Sequence, residues 1–169
     1  GVRRLPIGDC RYTADVFFRG QTVGKYRIIS TLGSGGFGAV YLAEDTWIDK
    51  RVAIKVPHRQ NMDFGELLRE PRLLASLNHP NIVQVYDFQD YGDEGQLLSM
   101  EYVEGPDLRK VMRAARSNQK KIPPFVAAHV IAEVAKGLHY AHERRDEGGA
   151  PLEIVHRDVS PQNVLLSFE

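Results

Sequence analysis

One cysteine in 169 residues, Cys10, excludes an internal disulfide and points to a reducing compartment. No apolar run approaches the roughly 18 residues that a bilayer span needs, and no charged-then-apolar leader of the signal-peptide kind opens the chain. Nor is there an excess of charge of one sign. The 22 Lys and Arg balance 22 Asp and Glu, which excludes a field strong enough to argue for nucleic acid or an anionic membrane as partner. Repeats and low-complexity stretches are absent as well. What remains, 43% hydrophobic and 26% charged residues, is the composition of an ordinary soluble globular domain. The length sets an expectation of one domain. A first residue of Gly1 rather than Met points to a cut or processed start, and the expected location is the cytoplasm.

Residues 1–24 show no sustained periodicity and read as a leader, ordered in part at best. From Tyr26 the chain turns to short strand-like runs, Tyr26 to Leu32, Val40 to Glu44 and Arg51 to Val56. Asp45 and Asp49 supply the turn between the second and third, so an antiparallel meander is expected. Leu67, Leu68, Leu74 and Leu77 recur at helical spacings over Phe64 to Leu77. Two more strands are expected at Ile82 to Phe88 and Leu97 to Val103. Beyond Asp107 the pattern is helical: a short helix to Arg116, then a long one from Phe125 to His142 with Pro124 at its tolerant first turn. Val126, Val130, Val134 and Leu138 form its apolar stripe. Two short apolar runs, Ile154-Val155 and Val164 to Leu166, are expected as strands around a polar segment. The fold class is α+β: a five-stranded antiparallel sheet with one helix, followed by an incomplete, mainly helical part.

Three motifs carry chemistry. Gly33, Ser34, Gly35, Gly36, Phe37 and Gly38 make a Gly-x-Gly-x-x-Gly loop, where the missing Cβ atoms let backbone N–H groups approach phosphate oxygens. Strands on both sides make it a hairpin tip, whereas a dinucleotide fingerprint needs a helix after the loop. Val52-Ala53-Ile54-Lys55 then places a cation in an apolar strand, 17 residues beyond Gly38. A carboxylate on the following helix would hold that ammonium toward phosphates. Glu66 and Glu70 compete for the role, and Arg69-Glu70 ahead of Leu73-Leu74 favours Glu70. Third, His156-Arg157-Asp158-Val159-Ser160-Pro161-Gln162-Asn163 fits His-Arg-Asp-x-x-x-x-Asn. There an aspartate can accept a hydroxyl proton and an asparagine can offer an oxygen to Mg²⁺.

In this order and spacing the three motifs resemble the N-terminal two-thirds of a eukaryotic-like protein kinase domain of the serine/threonine type, close to its bacterial branch. The resemblance runs from Tyr26 to Glu169. It implies a two-lobed fold with residues 1–25 as an N-terminal extension, 26–103 as the small lobe and hinge, and 104–169 as part of the large lobe. It further implies transfer of the γ-phosphoryl of ATP to a protein Ser/Thr hydroxyl with Mg²⁺. Asp158, Lys55 and Glu70 take the catalytic roles and Asn163 the metal. Met100-Glu101-Tyr102-Val103 resembles the hinge, with Met100 as gatekeeper and the backbones of Glu101 and Val103 toward adenine. Leu32, Val40, Ala53 and Leu165 fall at positions around the base, and Asp107 at the one that meets ribose. Asn78 to Val83 matches the link from helix to fourth strand.

The sequence also departs from the family. Ser160 stands where serine/threonine kinases carry a lysine, and Pro71 follows Glu70 inside the expected helix, where it would kink it. The loop from Arg145 to Pro151 lengthens the approach to the catalytic segment. The Asp-Phe-Gly, activation segment and Ala-Pro-Glu of the family fall beyond Glu169, so the 169 residues by themselves are expected to be inactive. An Asp63-Phe64-Gly65 triplet precedes the helix and reads as a helix start, with Asp63 as its cap. Ser160 and Pro71 support a rival reading, a pseudokinase that binds nucleotide or scaffolds without catalysis. A small-molecule phosphotransferase of the same fold fits the hinge less well. His139 and His142 have (i, i+3) spacing but no third metal ligand, and Trp47 reads as a packing residue.

Overall fold

A computed structural model of the chain describes residues 17–35, 38–57, 76–90, 96–146 and 148–168. The expected helix from Phe64 therefore lies almost wholly outside the described residues. So do Glu66, Glu70, Pro71, Asp63, Cys10, Gly36 and Phe37.

Six strands form one antiparallel sheet: β1 Thr22–Val23, β2 Tyr26–Gly35, β3 Gly38–Asp45, β4 Lys50–Val56, β5 Val85–Asp90 and β6 Gln96–Glu101. They are ordered β1-β2-β3-β4-β6-β5. The meander is as expected, but the sheet has one strand more. The extra strand lies in the stretch read as leader. Two residues are too short to show a period of two; what holds them is pairing of Thr22 with Arg27 and Val23 with Tyr26. Gly24, at φ +55°, makes the turn between them. Phe17 is buried too, its ring 5.5 Å from that of Tyr41.

Alternation builds the core. In β3, Ala39, Tyr41 and Ala43 are buried, and in β4 Val52, Ile54 and Val56 join them on the same face. Tyr26, Ile28 and Leu97 complete that layer. The β3–β4 turn uses both aspartates, as expected. The Asp45 carboxylate accepts from the Trp47 N–H at 3.0 Å, and Asp49 adopts φ +51°. Trp47 does not pack as expected. It is 80% exposed at the turn, with the Lys25 ammonium 5.4 Å from its ring centroid.

Strand β5 starts three residues later than its apolar pattern suggests, because the preceding segment is committed elsewhere. Asn81 Nδ2 donates to the Glu133 carbonyl at 3.0 Å and to its carboxylate at 2.8 Å. The Ile82 N–H closes a turn on His79. Among the described residues two helices follow, α1 Leu108–Ser117 and α2 Pro124–His142, and these bonds dock residues 78–82 on α2. Helix α2 presents Gly137 there, where a Cβ would stand 2.9 Å from the Asn81 carbonyl oxygen. Pro124 occupies its first turn, as expected. Its stripe is only partly covered: Val130, Val134 and Leu138 are half-buried, whereas Val126 is 38% exposed.

The runs expected as strands around the polar segment are not strands. Residues 152–168 are irregular, and Leu165 makes a single antiparallel bridge to Asp107. The segment is held by the residues after β6 instead of by a sheet partner of its own.

Candidate active site

Cross-strand pairing decides which side chains share the face opposite the core. Val40 pairs with Lys55, and Lys55 with Leu98; Leu42 pairs with Ala53, and Ala53 with Met100. Paired residues point the same way. Val40, Ala53, Lys55 and Met100, four positions singled out from sequence, therefore lie together on the face opposite Tyr41 and Ile54. The glycine hairpin closes one end of this face through the pairs Gly33–Val40, Ser34–Ala39 and Gly35–Gly38. Leu32 sits in the irregular step between Thr31 and Gly33, partly exposed. Gly38 has φ +123°, and a Cβ on it would stand 2.1 Å from the Val56 carbonyl oxygen. Its glycine is required twice over. Around Gly33 and Gly35 a Cβ would meet nothing within 4 Å, so the space beside these two positions is open.

At the other end the chain leaves β6 at Glu101. The Glu101 N–H donates to the Gln84 carbonyl at 2.8 Å, and its carboxylate accepts from the Gln84 N–H. Val103 enters no backbone hydrogen bond among the described residues. Asp107, 8% exposed, caps α1: one carboxylate oxygen accepts from the Lys110 N–H at 2.8 Å and the other meets the Lys110 ammonium at 3.3 Å. Burial pushes its carboxyl up, but the Lys110 contacts outweigh that and leave it below its ordinary range.

The catalytic segment is laced to this stretch. The N–H of Leu108 donates to Val164, that of Arg109 to Pro161, that of Leu166 to Pro106 and that of Phe168 to Glu104, all between 2.8 and 3.1 Å. Gly105 permits the approach, since a Cβ there would lie 1.8 Å from the Leu166 carbonyl oxygen. Sequence reasoning missed this glycine and the Arg109 side chain, which donates to Gln162 at 2.9 Å. A lone glycine after the hinge motif was the available signal for the first. Gly105→Ala is expected to cost ~1–3 kcal/mol by overpacking against backbone that cannot yield. Denaturant unfolding of the complete protein, and a raised KM for nucleotide, are the measurements.

Within the segment the Asp158 N–H donates to the His156 carbonyl at 2.8 Å across Arg157, whose φ is +61°. That is a tight, strained three-residue turn, and it sets where Asp158 stands. Asn163 Nδ2 donates to both the backbone oxygen and the carboxylate of Asp158, at 2.9 and 2.8 Å. The amide nitrogen is thereby spent, which leaves the asparagine oxygen as the atom available to a cation. Burial lowers the Lys55 pKa, and the Asp158 carboxylate acts against that shift.

The family model for the protein kinase domain matches residues 26–169. The chain belongs to that family. Tyrosine-protein kinase MasK of Myxococcus xanthus is 38% identical over 88% of the chain and 24% of its own length. Serine/threonine-protein kinase pkn2 of the same organism is 38% identical over 85% of the chain and 16% of its own length. PrkC, a serine/threonine-protein kinase of Bacillus subtilis, is 34% identical over 85% and 21% respectively. Among solved structures, the PknI kinase domain of Mycobacterium tuberculosis superposes with a TM-score of 0.74 at 29% identity, over 90% of this chain and 58% of that one. The chain thus spans a quarter or less of the length of these three relatives. The kinase fold expected from the motifs holds, and protein kinases of this family use ATP and Mg²⁺. No described helix is long and apolar enough to cross a membrane.

Proposed function

We propose that this domain transfers the γ-phosphoryl of ATP to Ser or Thr hydroxyls of a protein substrate, in the cytoplasm. The observation that carries the reading is the shared face of Val40, Ala53, Lys55 and Met100, closed at one end by the glycine hairpin. Adenine would lie along Ala53 and Leu165 with the backbones of Glu101 and Val103 at its edge. The backbone of the glycine hairpin would meet the phosphates, with Lys55 as the cation among them and Glu70 as its partner. Asp107 serves first as the cap of α1, so a ribose hydroxyl would share an oxygen already bonded to Lys110.

In the transfer, the acceptor oxygen forms its bond to the γ-phosphorus as the bond to the β-phosphate oxygen breaks, and Asp158 takes the hydroxyl proton. ADP leaves with the electron pair. The oxygen of Asn163 fits a hard cation, and Mg²⁺ bound there would neutralise charge on the phosphates. Ser160 leaves the loop without a lysine, so charge stabilisation rests more heavily on Lys55.

The test is phosphorylation of a generic protein substrate by the full-length protein, followed by phosphoamino-acid analysis. Phosphoserine and phosphothreonine are expected. Phosphotyrosine alone would replace the acceptor class, and nucleotide binding without transfer would establish the pseudokinase.

The lowered pKa of Lys55 gives a pH signature. The free enzyme must hold Lys55 protonated to attract phosphates, so kcat/KM for ATP is expected to fall on an alkaline limb that begins below the ordinary lysine value of 10.5. In Lys55→Arg, whose cation does not titrate there, that limb should vanish.

A further inference from the structure

Helix α1 breaks the charge balance of the chain. Across 169 residues the two signs cancel, yet Leu108–Ser117 carries Arg109, Lys110, Arg113 and Arg116 and no acidic residue. Lys110 is neutralised by Asp107. The three arginines fall at i, i+4 and i+7, within an arc of roughly 60° and about 6 and 10 Å apart along the axis from the first. All three are exposed. Arg113 and Arg116 make no ion pair or side-chain hydrogen bond among the described residues.

Helix stability does not account for this row. Like charges at (i, i+4) repel, and cations in the first half of a helix oppose its dipole; only Arg116, in the last turn, is favoured by it. The row has a definite origin. Arg109 at its head is bound by backbone to Pro161 and by side chain to Gln162, four residues after Asp158. It then leads away from the catalytic segment toward Lys120 and Lys121, both exposed.

We propose that this arginine row is a docking surface for carboxylate-rich segments of the protein substrate, lying beside the phosphoacceptor. An extended segment rises about 3.3 Å per residue and turns alternate side chains to one face, so Asp or Glu side chains two residues apart match the roughly 6 Å step along the row. The inference rests on the phosphotransfer reading, and its test is built to fail separately.

Three serine peptides would be compared on the full-length protein: one with glutamates before the acceptor, one with glutamates after it, and one with alanines throughout. One of the acidic peptides is expected to show a KM roughly tenfold below the neutral one, with the gap narrowing between about 50 and about 500 mM salt. Arg113→Glu/Arg116→Glu should raise the KM of that peptide roughly tenfold and leave kcat on the neutral peptide unchanged. Arg113→Gln/Arg116→Gln should fall between, and it serves if the reversed variant does not fold. Equal KM values for all peptides in the natural protein, or an acidic preference that survives in both variants, would overturn the docking surface. If no peptide is phosphorylated, the phosphotransfer reading fails. Fluorescence anisotropy of the labelled acidic peptides without ATP then decides the surface: binding lost in the arginine variants supports it, and no binding to the natural protein overturns it.

Discussion

Asp158→Asn in the full-length protein is expected to lower kcat by about 10²- to 10⁴-fold, the range that a positioned general base supplies. The change is nearly isosteric, and the surroundings tolerate it. The backbone bonds that fix residue 158, its N–H to His156 and its carbonyl to Asn163, do not involve the carboxylate. An asparagine oxygen can still accept from Asn163 Nδ2 in place of the carboxylate oxygen. What is lost is the capacity to take a proton from the acceptor hydroxyl. Since that interaction matures in the transition state, kcat and kcat/KM should fall together with ATP affinity nearly unchanged. Steady-state kinetics and nucleotide titration of the variant are the checks. An ordinary kcat would remove Asp158 from its proposed role as the base.

The sheet was legible because alternation is local. Once Tyr41 and Ile54 are assigned to the core, Val40 and Lys55 must face the other way, and the hairpin motif fixes which strand is which. Helix α2 was legible from its four-residue recurrence and Pro124, to within one residue of its start. What could not be read came from longer-range bonds. The start of β5 was displaced because Asn81 spends its amide on Glu133, some fifty residues away. The flanks of Asp158 look like strands by composition, yet no strand lies beside them; residues 104–109 bind them, and Gly105 alone makes room. Likewise β1 is two residues long and owes its place to its partner. The assignment of Glu70 lies outside the described residues, so the partner of Lys55 stays a proposal from sequence.

Lys55→Met should abolish phosphoryl transfer while leaving the fold intact, and the sheet explains both halves. Residue 55 lies in a central strand, paired on one side with Val40 and on the other with Leu98. Methionine matches the lysine stem in length and is at home between those apolar side chains, so the substitution is expected to cost less than about 1.5 kcal/mol. It can even relieve a penalty. Burial lowers the Lys55 pKa in the fold, so below that value the charged lysine weighs against the folded state. Between the folded value and 10.5 the unfolded chain binds more protons, and stability rises with pH. That rise should be missing in the methionine variant, which gives a readout independent of activity. Catalysis is a different matter. In the proposed reaction Lys55 brings its charge to the phosphates, and with Ser160 in the loop no lysine there can substitute, so removal is expected to leave turnover at background. Thermal unfolding across alkaline pH, run beside autophosphorylation of the full-length variant, separates the two effects. Full autophosphorylation by Lys55→Met would sink the assignment, whereas a folded, silent variant that lacks the alkaline rise of the natural protein would support the phosphate-binding cation at this position.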